Sequence, residues 1–146
     1  MPRQHKTAVV VDDEATQRAW MRGILRRLGF GVAEAATCRE ALELTAQRQQ
    51  IDLFIIDLRL PDGSGHELSR ELRALQPGST VLLVSGTAGA EICKYFDTSL
   101  QQVQFLHKPF RASELAQRIR EMFAKPGKPL IANASAGVQN RSEPAD

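Results

Sequence analysis

Runs of consecutive apolar residues alternate along the chain with segments in which apolar residues recur every three or four positions. The runs predict strands buried on both faces, and the segments predict amphipathic helices. The predicted strands comprise residues 7–11, 31–35, 51–58, 79–85 and 103–106. Because helical segments separate most consecutive strands, the pattern predicts right-handed crossovers and a parallel sheet covered by helices on both faces.

Short local signals mark where the helices begin and end. Residues 37–40 and 64–67 form capping-box patterns, in which side chains satisfy free amides at a helix start. Gly29 is predicted to end the first helix, and Pro77-Gly78 to end the third. The helical residues predicted to face the core are Trp20, Ile24, Leu25, Leu28, Ala41, Leu42, Thr45, Leu68, Leu72, Leu75, Leu115, Ile119, Met122 and Phe123.

The ends of the chain and one internal segment lack a clear pattern. Residues 87–102 predict a loop and a short helix. From Lys125 onward, prolines and small polar residues without periodicity predict a disordered tail. We therefore expect an N-terminal extension at 1–6, one domain over 7–124 and a tail over 125–146.

Composition narrows the class of protein. The chain has 146 residues, 42% of them apolar and 25% charged, which is the balance of a soluble globular domain. No signal-peptide core or membrane-spanning run is recognisable, which predicts a cytoplasmic protein. A net charge of +2 is too small to indicate nucleic acid or a membrane as partner. Cys38 and Cys93 are predicted to be reduced, half-buried thiols.

Chemically useful side chains stand where four of the predicted strands end. Asp12 and Asp13 follow the first strand, and Asp57 closes the third. Ser85 closes the fourth strand, and Lys108 follows the fifth. The crevice of such a sheet lies at the carboxyl ends of its strands, so we expect these side chains to meet.

Three carboxylates at one end of a sheet repel one another and raise at least one pKa unless a cation lies among them. Mg²⁺ is a natural choice, because it binds a few carboxylates together with waters and phosphate oxygens. A hydroxyl group and an ammonium group opposite the acids supply donors for phosphoryl oxygens. The set therefore favours phosphoryl transfer to an aspartate.

On these residues the chain resembles the receiver (response-regulator) domains of two-component signalling, over about Thr7 to Phe123. The matching motifs are Asp12-Asp13, Asp57, Pro61, Gly65, Ser85-Gly86 and the segment from Phe105 to Pro109. Each motif is weak alone, but the set in this order and spacing is specific. The resemblance implies a flavodoxin-like three-layer α/β sandwich, with a five-stranded parallel sheet in the order 2-1-3-4-5.

The resemblance also implies a role for each matching residue. Asp57 is the expected phosphoacceptor. Mg²⁺ or Mn²⁺ is expected on Asp13, Asp57 and the backbone carbonyl of Arg59, with Asp12 helping through water. The expected phosphoryl-binding and switch residues are Ser85, Gly86, Lys108 and Phe105, and the structural ones are Pro61, Gly65 and Pro109, with a cis bond between Lys108 and Pro109.

The implied partners are a histidine kinase or phosphotransfer protein as phosphoryl donor and a downstream protein as target. Direct binding to nucleic acid or a membrane is not expected. The resemblance implies no enzyme activity beyond self-catalysed transfer to Asp57 and slow autodephosphorylation. No output domain is expected after Phe123, so the chain either acts on a separate partner or is a receiver excised from a larger protein such as a hybrid kinase.

Three other functions compete with this interpretation. An aspartate-nucleophile phosphatase of the haloacid dehalogenase type requires an acid two residues after its nucleophile, where this chain has Arg59. A flavin- or nucleotide-binding domain requires a glycine- or hydroxyl-rich loop after the first strand, where this chain is acidic. A constitutive interaction module of the same fold, which never accepts phosphate, stays open.

The remaining conspicuous polar residues predict no chemistry of their own. His5 and His66 are interpreted as surface residues, and His107 as a satisfied or exposed neighbour of Lys108. Arg18, Arg22, Arg26 and Arg27 are interpreted as a solvated helix face, with kinase docking as an additional use. The cationic Arg59 beside the acceptor leaves the lifetime of a phosphoryl group undetermined.

Overall fold

Strands and helices alternate in the computed structural model, which describes residues 6–48, 50–86 and 103–124. Within these ranges the strands are β1 (Thr7–Val11), β2 (Gly31–Ala35), β3 (Leu53–Asp57), β4 (Arg59–Leu60), β5 (Gly63–Ser64), β6 (Thr80–Ser85) and β7 (Val103–His107). The helices are α1 (Ala15–Arg27), α2 (Cys38–Ala46), α3 (Gly65–Leu75) and α4 (Ala112–Phe123).

Five strands form one parallel sheet in the order β2-β1-β3-β6-β7. The short strands β4 and β5 form a separate antiparallel hairpin between β3 and α3. The order of the five long strands is therefore the predicted 2-1-3-4-5, and the predicted fold is confirmed. Val11 pairs with Ile56, and Ile56 pairs with Leu83, so the strands end at a common level.

Side chains of the central strands alternate between two apolar layers. Val9 and Val11 of β1 belong to the layer covered by α2 and α3, whereas Ala8 and Val10 belong to the layer covered by α1 and α4. All four are fully buried. A strand with both faces covered must be apolar at every position, which explains the continuous apolar runs in the sequence.

The predicted helix boundaries have the expected local contacts. Thr37 Oγ1 accepts a hydrogen bond from Glu40 N at 3.0 Å, and Glu40 Oε1 accepts one from Ala36 N at 2.8 Å. Ser64 Oγ accepts hydrogen bonds from two amides in the first turn of α3, at 3.1 and 3.5 Å. Gly29, which follows α1, has a φ of 97° that favours glycine. The side chains of Thr37 and Ser64 satisfy amides that the helices leave unpaired, and the amides of Gly29 and Phe30 satisfy carbonyls at the end of α1.

The predicted exposure is wrong for Trp20, Leu75 and His66, as well as for Arg18, which is described with the candidate site. Trp20 and Leu75, predicted to face the core, are 38% and 50% exposed. Trp20 lies at the rim of its layer, where its ring centroid is 5.6 Å from that of Phe110, and Leu75 is the last residue of α3. His66, predicted at the surface, is buried because it shares a helical face with the buried Ser69. The other predicted core positions of the helices are buried or half-buried.

Some predictions fall outside the described residues. They concern residues 87–102, the tail from Lys125, His5 and Cys93. Cys38 is half-buried, as predicted, and burial together with the nearby Asp62 carboxylate raises the pKa of its thiol to about 11. Among the helices of the described ranges, none is long and apolar enough to cross a bilayer.

Candidate functional site

The sheet places the carboxyl ends of β1, β3, β6 and β7 side by side. Because Val11 pairs with Ile56, the next residues of the two strands, Asp12 and Asp57, are neighbours. Lys108 N donates a hydrogen bond to the carbonyl oxygen at the end of β6 at 2.7 Å, which extends the β6–β7 ladder by one residue. Parallel pairing thus brings together the side chains of Asp12 and Lys108, which lie 96 positions apart in the chain.

Asp12, Asp13 and Asp57 form an acidic cluster at this end of the sheet. One carboxylate oxygen from each residue lies within 4.8 Å of the other two. Asp12 is fully buried, Asp57 is half-buried and Asp13 is exposed. The cluster is therefore closed on its inner side and open to solvent on the other, so a ligand can approach Asp57 directly.

Lys108 is the cation that faces the acidic cluster. Its Nζ lies 3.2 Å from Asp57 Oδ2 and 3.5 Å from Asp12 Oδ2. Burial opposes protonation, but the charges of Asp57 and Asp12 outweigh it and raise the pKa of Lys108 above its ordinary value. The ammonium group is therefore charged at neutral pH and contributes a fixed positive charge to the site.

The carboxyl of Asp12 is held in an unfavourable place for a charge. Burial raises its pKa, and the negative charge of Asp57 adds to that shift. The Glu14 amide, which donates to Asp12 Oδ1 at 2.9 Å, and the charge of Lys108 act in the opposite direction but do not cancel it. A buried carboxylate with too little positive charge nearby is a group that a cation stabilises.

The two oxygens of Asp57 have different partners. Oδ1 accepts a hydrogen bond from Arg59 N at 3.0 Å, whereas Oδ2 contacts Lys108 Nζ. The first contact is a local side-chain-to-backbone bond that fixes the rotation of the carboxylate. Oδ2 is therefore turned toward the lysine and the other two acids.

The turn that follows Asp57 depends on Gly65. A Cβ at this position would lie 2.3 Å from Asp57 O and 2.9 Å from Leu58 Cα. Gly65 N also donates a hydrogen bond to Leu58 O at 2.8 Å. Helix α3 therefore begins in direct backbone contact with the strand end that carries Asp57, after the hairpin in which the exposed Pro61 lies.

Ser85 and Gly86 lie on the other side of Asp57. Together with Asp57 and Arg59 they line an open cleft of about 410 Å³. Ser85 is buried and Gly86 is exposed. A Cβ on Gly86 would meet no atom within 4 Å, so the described structure shows no steric need for glycine there.

Phe105 and Pro109 flank the end of β7. Phe105 pairs in register with Leu83 of β6, is half-buried and packs against the layer under α2 and α3. Its carbonyl oxygen accepts a hydrogen bond from Arg118 of α4. The peptide bond between Lys108 and Pro109 is cis, as predicted.

Two further side chains hold the loops of the site, and the motifs did not predict either. Arg18, predicted to be solvated, is half-buried and donates to Asp12 O at 2.6 Å and to Glu34 Oε1 at 3.2 Å. Asp62 accepts hydrogen bonds from two amides at the start of α2, at 2.8 and 3.1 Å, and so ties the β4–β5 hairpin to that helix. The partners lie on other elements or loops, between 6 and 24 positions away, so capping and helix patterns do not reveal these contacts.

The donor set suits a hard divalent cation. Mg²⁺ binds oxygen ligands at about 2.1 Å in an octahedron, which spaces them by about 3 to 4 Å. The three carboxylate oxygens lie within 4.8 Å of one another, which is close to that spacing. Within the described ranges, Asp12, Asp13 and Asp57 are therefore candidates to hold such an ion.

The fold and its acidic sheet end define a receiver-type α/β domain. In agreement, the sequence matches the family described as "Response regulator receiver domain" over residues 8–120. The chain belongs to this family. Receiver domains of response regulators act in two-component systems and bind Mg²⁺ at an acidic pocket.

Two curated relatives contain a segment that is similar to this chain. The chain is 34% identical over 112 residues to the KDP operon transcriptional regulatory protein KdpE of Escherichia coli, covering 77% of the chain and 48% of that protein. It is 32% identical over 120 residues to the sensor kinase CckA of Brucella abortus, covering 82% of the chain and 13% of that protein. The chain thus spans less than half the length of either relative.

Solved structures have the same fold. A response regulator receiver domain protein (CheY-like) from Methanospirillum hungatei is 28% identical, with a TM-score of 0.72 over 81% of this chain and 93% of that one. A CheY-like receiver domain from Methylobacillus flagellatus is 30% identical, with a TM-score of 0.67 over 82% and 99%. These similarities confirm the flavodoxin-like architecture.

Proposed function

We propose that this domain accepts a phosphoryl group on Asp57 in a histidine-to-aspartate phosphorelay. The observation that supports the proposal most directly is the contact between Asp57 Oδ2 and Lys108 Nζ at 3.2 Å, beside Asp12 and Asp13. A carboxylate oxygen is thereby presented at an open cleft, between further acids and an ammonium group. Membership of the receiver family favours the same class of function.

The proposed site contains Mg²⁺, with Mn²⁺ as a substitute. Asp13 and Asp57 are its proposed direct side-chain ligands, Asp12 helps through a water molecule, and the backbone carbonyl of Arg59 is a further ligand. When bound, the ion neutralises the carboxylates and binds phosphoryl oxygens. The raised pKa of Asp12 supports this assignment, because a cation beside the buried carboxyl would favour its ionised form.

In the proposed reaction, a carboxylate oxygen of Asp57 attacks the phosphorus of a phosphohistidine on the donor. The oxygen–phosphorus bond forms while the phosphorus–nitrogen bond breaks, and the donor imidazole leaves with the electron pair. Lys108 stabilises negative charge on the phosphoryl oxygens from its position beside Asp57. The chain modifies itself and turns over no separate substrate, as is general for receiver domains.

The phosphorylated state is proposed to change the surface beside β7. The Ser85 hydroxyl donates to a phosphoryl oxygen, the exposed Gly86 leaves that approach open, and Phe105 turns inward on the neighbouring strand. Moving a two-state equilibrium from 1:99 to 99:1 requires about 5.5 kcal/mol. Charge-assisted hydrogen bonds contribute about 1.5 to 3 kcal/mol each, so about two to four new bonds are sufficient.

The proposed partners are a histidine kinase or phosphotransfer protein and a downstream protein that recognises the switched surface. Direct contact with nucleic acid or a membrane is not part of the proposal, and the proposed location is the cytoplasm. The proposed domain comprises residues 7–124 of the chain, close to the 8–120 of the family match.

Phosphorylation is tested with acetyl phosphate and Mg²⁺, followed by intact-mass spectrometry. We expect the wild type to gain one phosphoryl group, and Asp57→Asn or chelation with EDTA to abolish the gain. Asp62→Asn is the matched control, since Asp62 is an exposed acid nearby that caps α2 and lies outside the acidic cluster. Labelling of Asp57→Asn at another residue would contradict the assignment, and no labelling of the wild type would favour a constitutive interaction module.

A further inference from the structure

Arg18 connects the loop that follows β1, which contains Asp12 and Asp13, to the edge strand β2. Its Nη1 donates a hydrogen bond to Asp12 O at 2.6 Å, and its Nε donates to Glu34 Oε1 at 3.2 Å. Glu34 precedes Ala35, the last residue of β2, whose carbonyl oxygen accepts a hydrogen bond from Asp12 N at 3.1 Å. The backbone of Asp12 is therefore held at both its amide and its carbonyl by contacts that lead to β2.

The guanidinium of Arg18 is fixed in place. Its side chain is 18% exposed, and that of Glu34 is 27% exposed. Burial raises the pKa of Glu34, but hydrogen bonds from Arg22 and Arg18 outweigh burial and lower it, so Glu34 is ionised at neutral pH. A planar guanidinium that binds a carboxylate through one nitrogen presents another nitrogen in a defined direction, here toward the Asp12 carbonyl.

We propose that Arg18 is a positioning residue for the divalent-cation site and acts through the backbone of Asp12. Asp12 and Asp13 lie on one loop and Asp57 on another, and their carboxylates repel one another. The hydrogen bond from Arg18 to the Asp12 carbonyl oxygen keeps this loop from moving away from Asp57. Because this role depends on the proposed cation site, the experiment below includes the wild type as the test of that site itself.

Positioning and simple electrostatics predict opposite effects of removing Arg18. A positive charge close to a cation site repels the cation, so its removal alone strengthens Mg²⁺ binding. Removal of a residue that holds the loop of Asp12 and Asp13 in place weakens Mg²⁺ binding, because the loop must then be ordered when the ion binds. The sign of the change in affinity therefore separates the two explanations.

Mg²⁺ binding is measured by isothermal titration calorimetry on the full chain, comparing the wild type with Arg18→Gln, Arg18→Lys and Arg22→Gln. Arg22→Gln is the matched control, because it removes the same positive charge from beside the same Glu34 carboxylate. The hydrogen bond to Asp12 O comes from Arg18 and is kept in this variant. We expect Arg18→Gln to raise the Mg²⁺ Kd roughly fivefold or more. Arg22→Gln is expected to leave the Kd within roughly twofold or to lower it.

Urea unfolding in EDTA and in Mg²⁺ separates a folding defect from a defect in the site. We expect Arg18→Gln to fold and to lose part of the stabilisation that Mg²⁺ gives the wild type. Arg18→Lys keeps the charge but cannot bond to both partners in the same geometry, so its Kd is expected between those of the wild type and Arg18→Gln.

A folded Arg18→Gln protein with an unchanged or lower Kd would overturn the positioning role. If Arg18→Gln fails to fold, Arg18→Lys decides, and an unchanged Kd in that variant has the same meaning. A wild type that binds no Mg²⁺ overturns the cation site and the positioning role together. Failure of the cation site can be told apart from failure of the positioning role, because it is seen in the wild type alone.

Discussion

The two ends of the parallel sheet each contain a buried aspartate, and the two aspartates have opposite surroundings. At the amino end, Asp52 Oδ2 accepts a hydrogen bond from Thr7 N at 2.8 Å, which ties the start of β1 to the start of β3. At the carboxyl end, Asp12 lies beside Asp57, and burial and that neighbouring charge raise its pKa. One aspartate receives a backbone donor from across the sheet, and the other faces a second carboxylate.

The difference indicates that polar groups at the amino end of the sheet stabilise the fold, whereas those at the carboxyl end form the candidate site. At the amino end, polar side chains satisfy backbone groups, as Gln76 Oε1 also does by accepting a hydrogen bond from Ile51 N at 3.0 Å. At the carboxyl end, three acids cluster together, and two of them, Asp12 and Asp57, contact Lys108. The first arrangement stabilises the fold. We expect the second arrangement to destabilise the cation-free protein, and it is the site that we propose for a cation and a phosphoryl group.

The largest change in the free energy of unfolding is expected from Gly65→Ala, which alters the backbone contact between α3 and the carboxyl end of β3. The new Cβ would lie 2.3 Å from Asp57 O, so the helix start must move away from the strand end. We expect the free energy of unfolding to fall by about 3 kcal/mol. Urea denaturation of this variant measures the loss.

Gly78→Ala is the control for the glycine substitution. Its Cβ would meet nothing within 4 Å, and Gly78 lies at the other end of α3. We expect its unfolding free energy to stay within about 0.5 kcal/mol of the wild type. Equal effects of the two substitutions would show that close packing at Gly65 does not matter.

Asparagine substitutions of the two buried aspartates are expected to have opposite effects in EDTA. Asp12→Asn removes an unfavourable buried charge and should raise the free energy of unfolding by about 1 kcal/mol. Asp52→Asn weakens the acceptor for Thr7 N and should lower it by about 1 kcal/mol. Urea denaturation of both variants tests the comparison, and changes of the same sign would refute it.

Addition of Mg²⁺ is expected to reverse the advantage of Asp12→Asn. At a Mg²⁺ concentration ten times Kd, a single site stabilises the folded state by about 1.4 kcal/mol. The wild type should gain this amount, and Asp12→Asn should gain less because it has lost one carboxylate. Repeating the urea titrations with Mg²⁺ measures the gain, and Asp52→Asn serves as the variant that keeps the full response.

A pH series in EDTA should show a smaller effect. The folded pKa of Asp12 is raised, so its contribution to stability is fully present below the ordinary aspartate pKa of about 3.9 and is lost as pH rises through the folded pKa. Glu34 and Asp62 have lowered pKa values and act in the opposite sense, since their contributions are lost as pH falls. The unfolding free energy of the wild type minus that of Asp12→Asn should therefore decrease above about pH 4. A difference that does not vary with pH would contradict the assignment.

The smallest effect is expected where neither end of the sheet is involved. Arg39 Nε and Glu43 Oε2 lie 3.1 Å apart on α2, and the two side chains are 83% and 61% exposed. Such a pair contributes less than about 0.5 kcal/mol. Arg39→Ala should therefore unfold within that margin of the wild type in urea, which sets the baseline for the other variants.

The sequence by itself determined the sheet, the helices and the composition of the site. Strands covered on both faces must be apolar at every position, and caps act on amides only a few residues away, so both leave local patterns. Parallel strands end at one side of a sheet, which is why the positions of Asp12, Asp57 and Lys108 were enough to predict a common site.

Only the tertiary structure decided which groups are buried and which contacts hold the site. Asp12 is buried while Asp13 is exposed, His66 is covered while Trp20 lies at a rim, and Arg18 binds a backbone carbonyl where its helix pattern predicted solvent. Burial and ion pairing depend on neighbours from other elements, such as Arg18 of α1 and Glu34 of β2, which are 16 positions apart. No local pattern records those neighbours, because they become adjacent only when the chain folds.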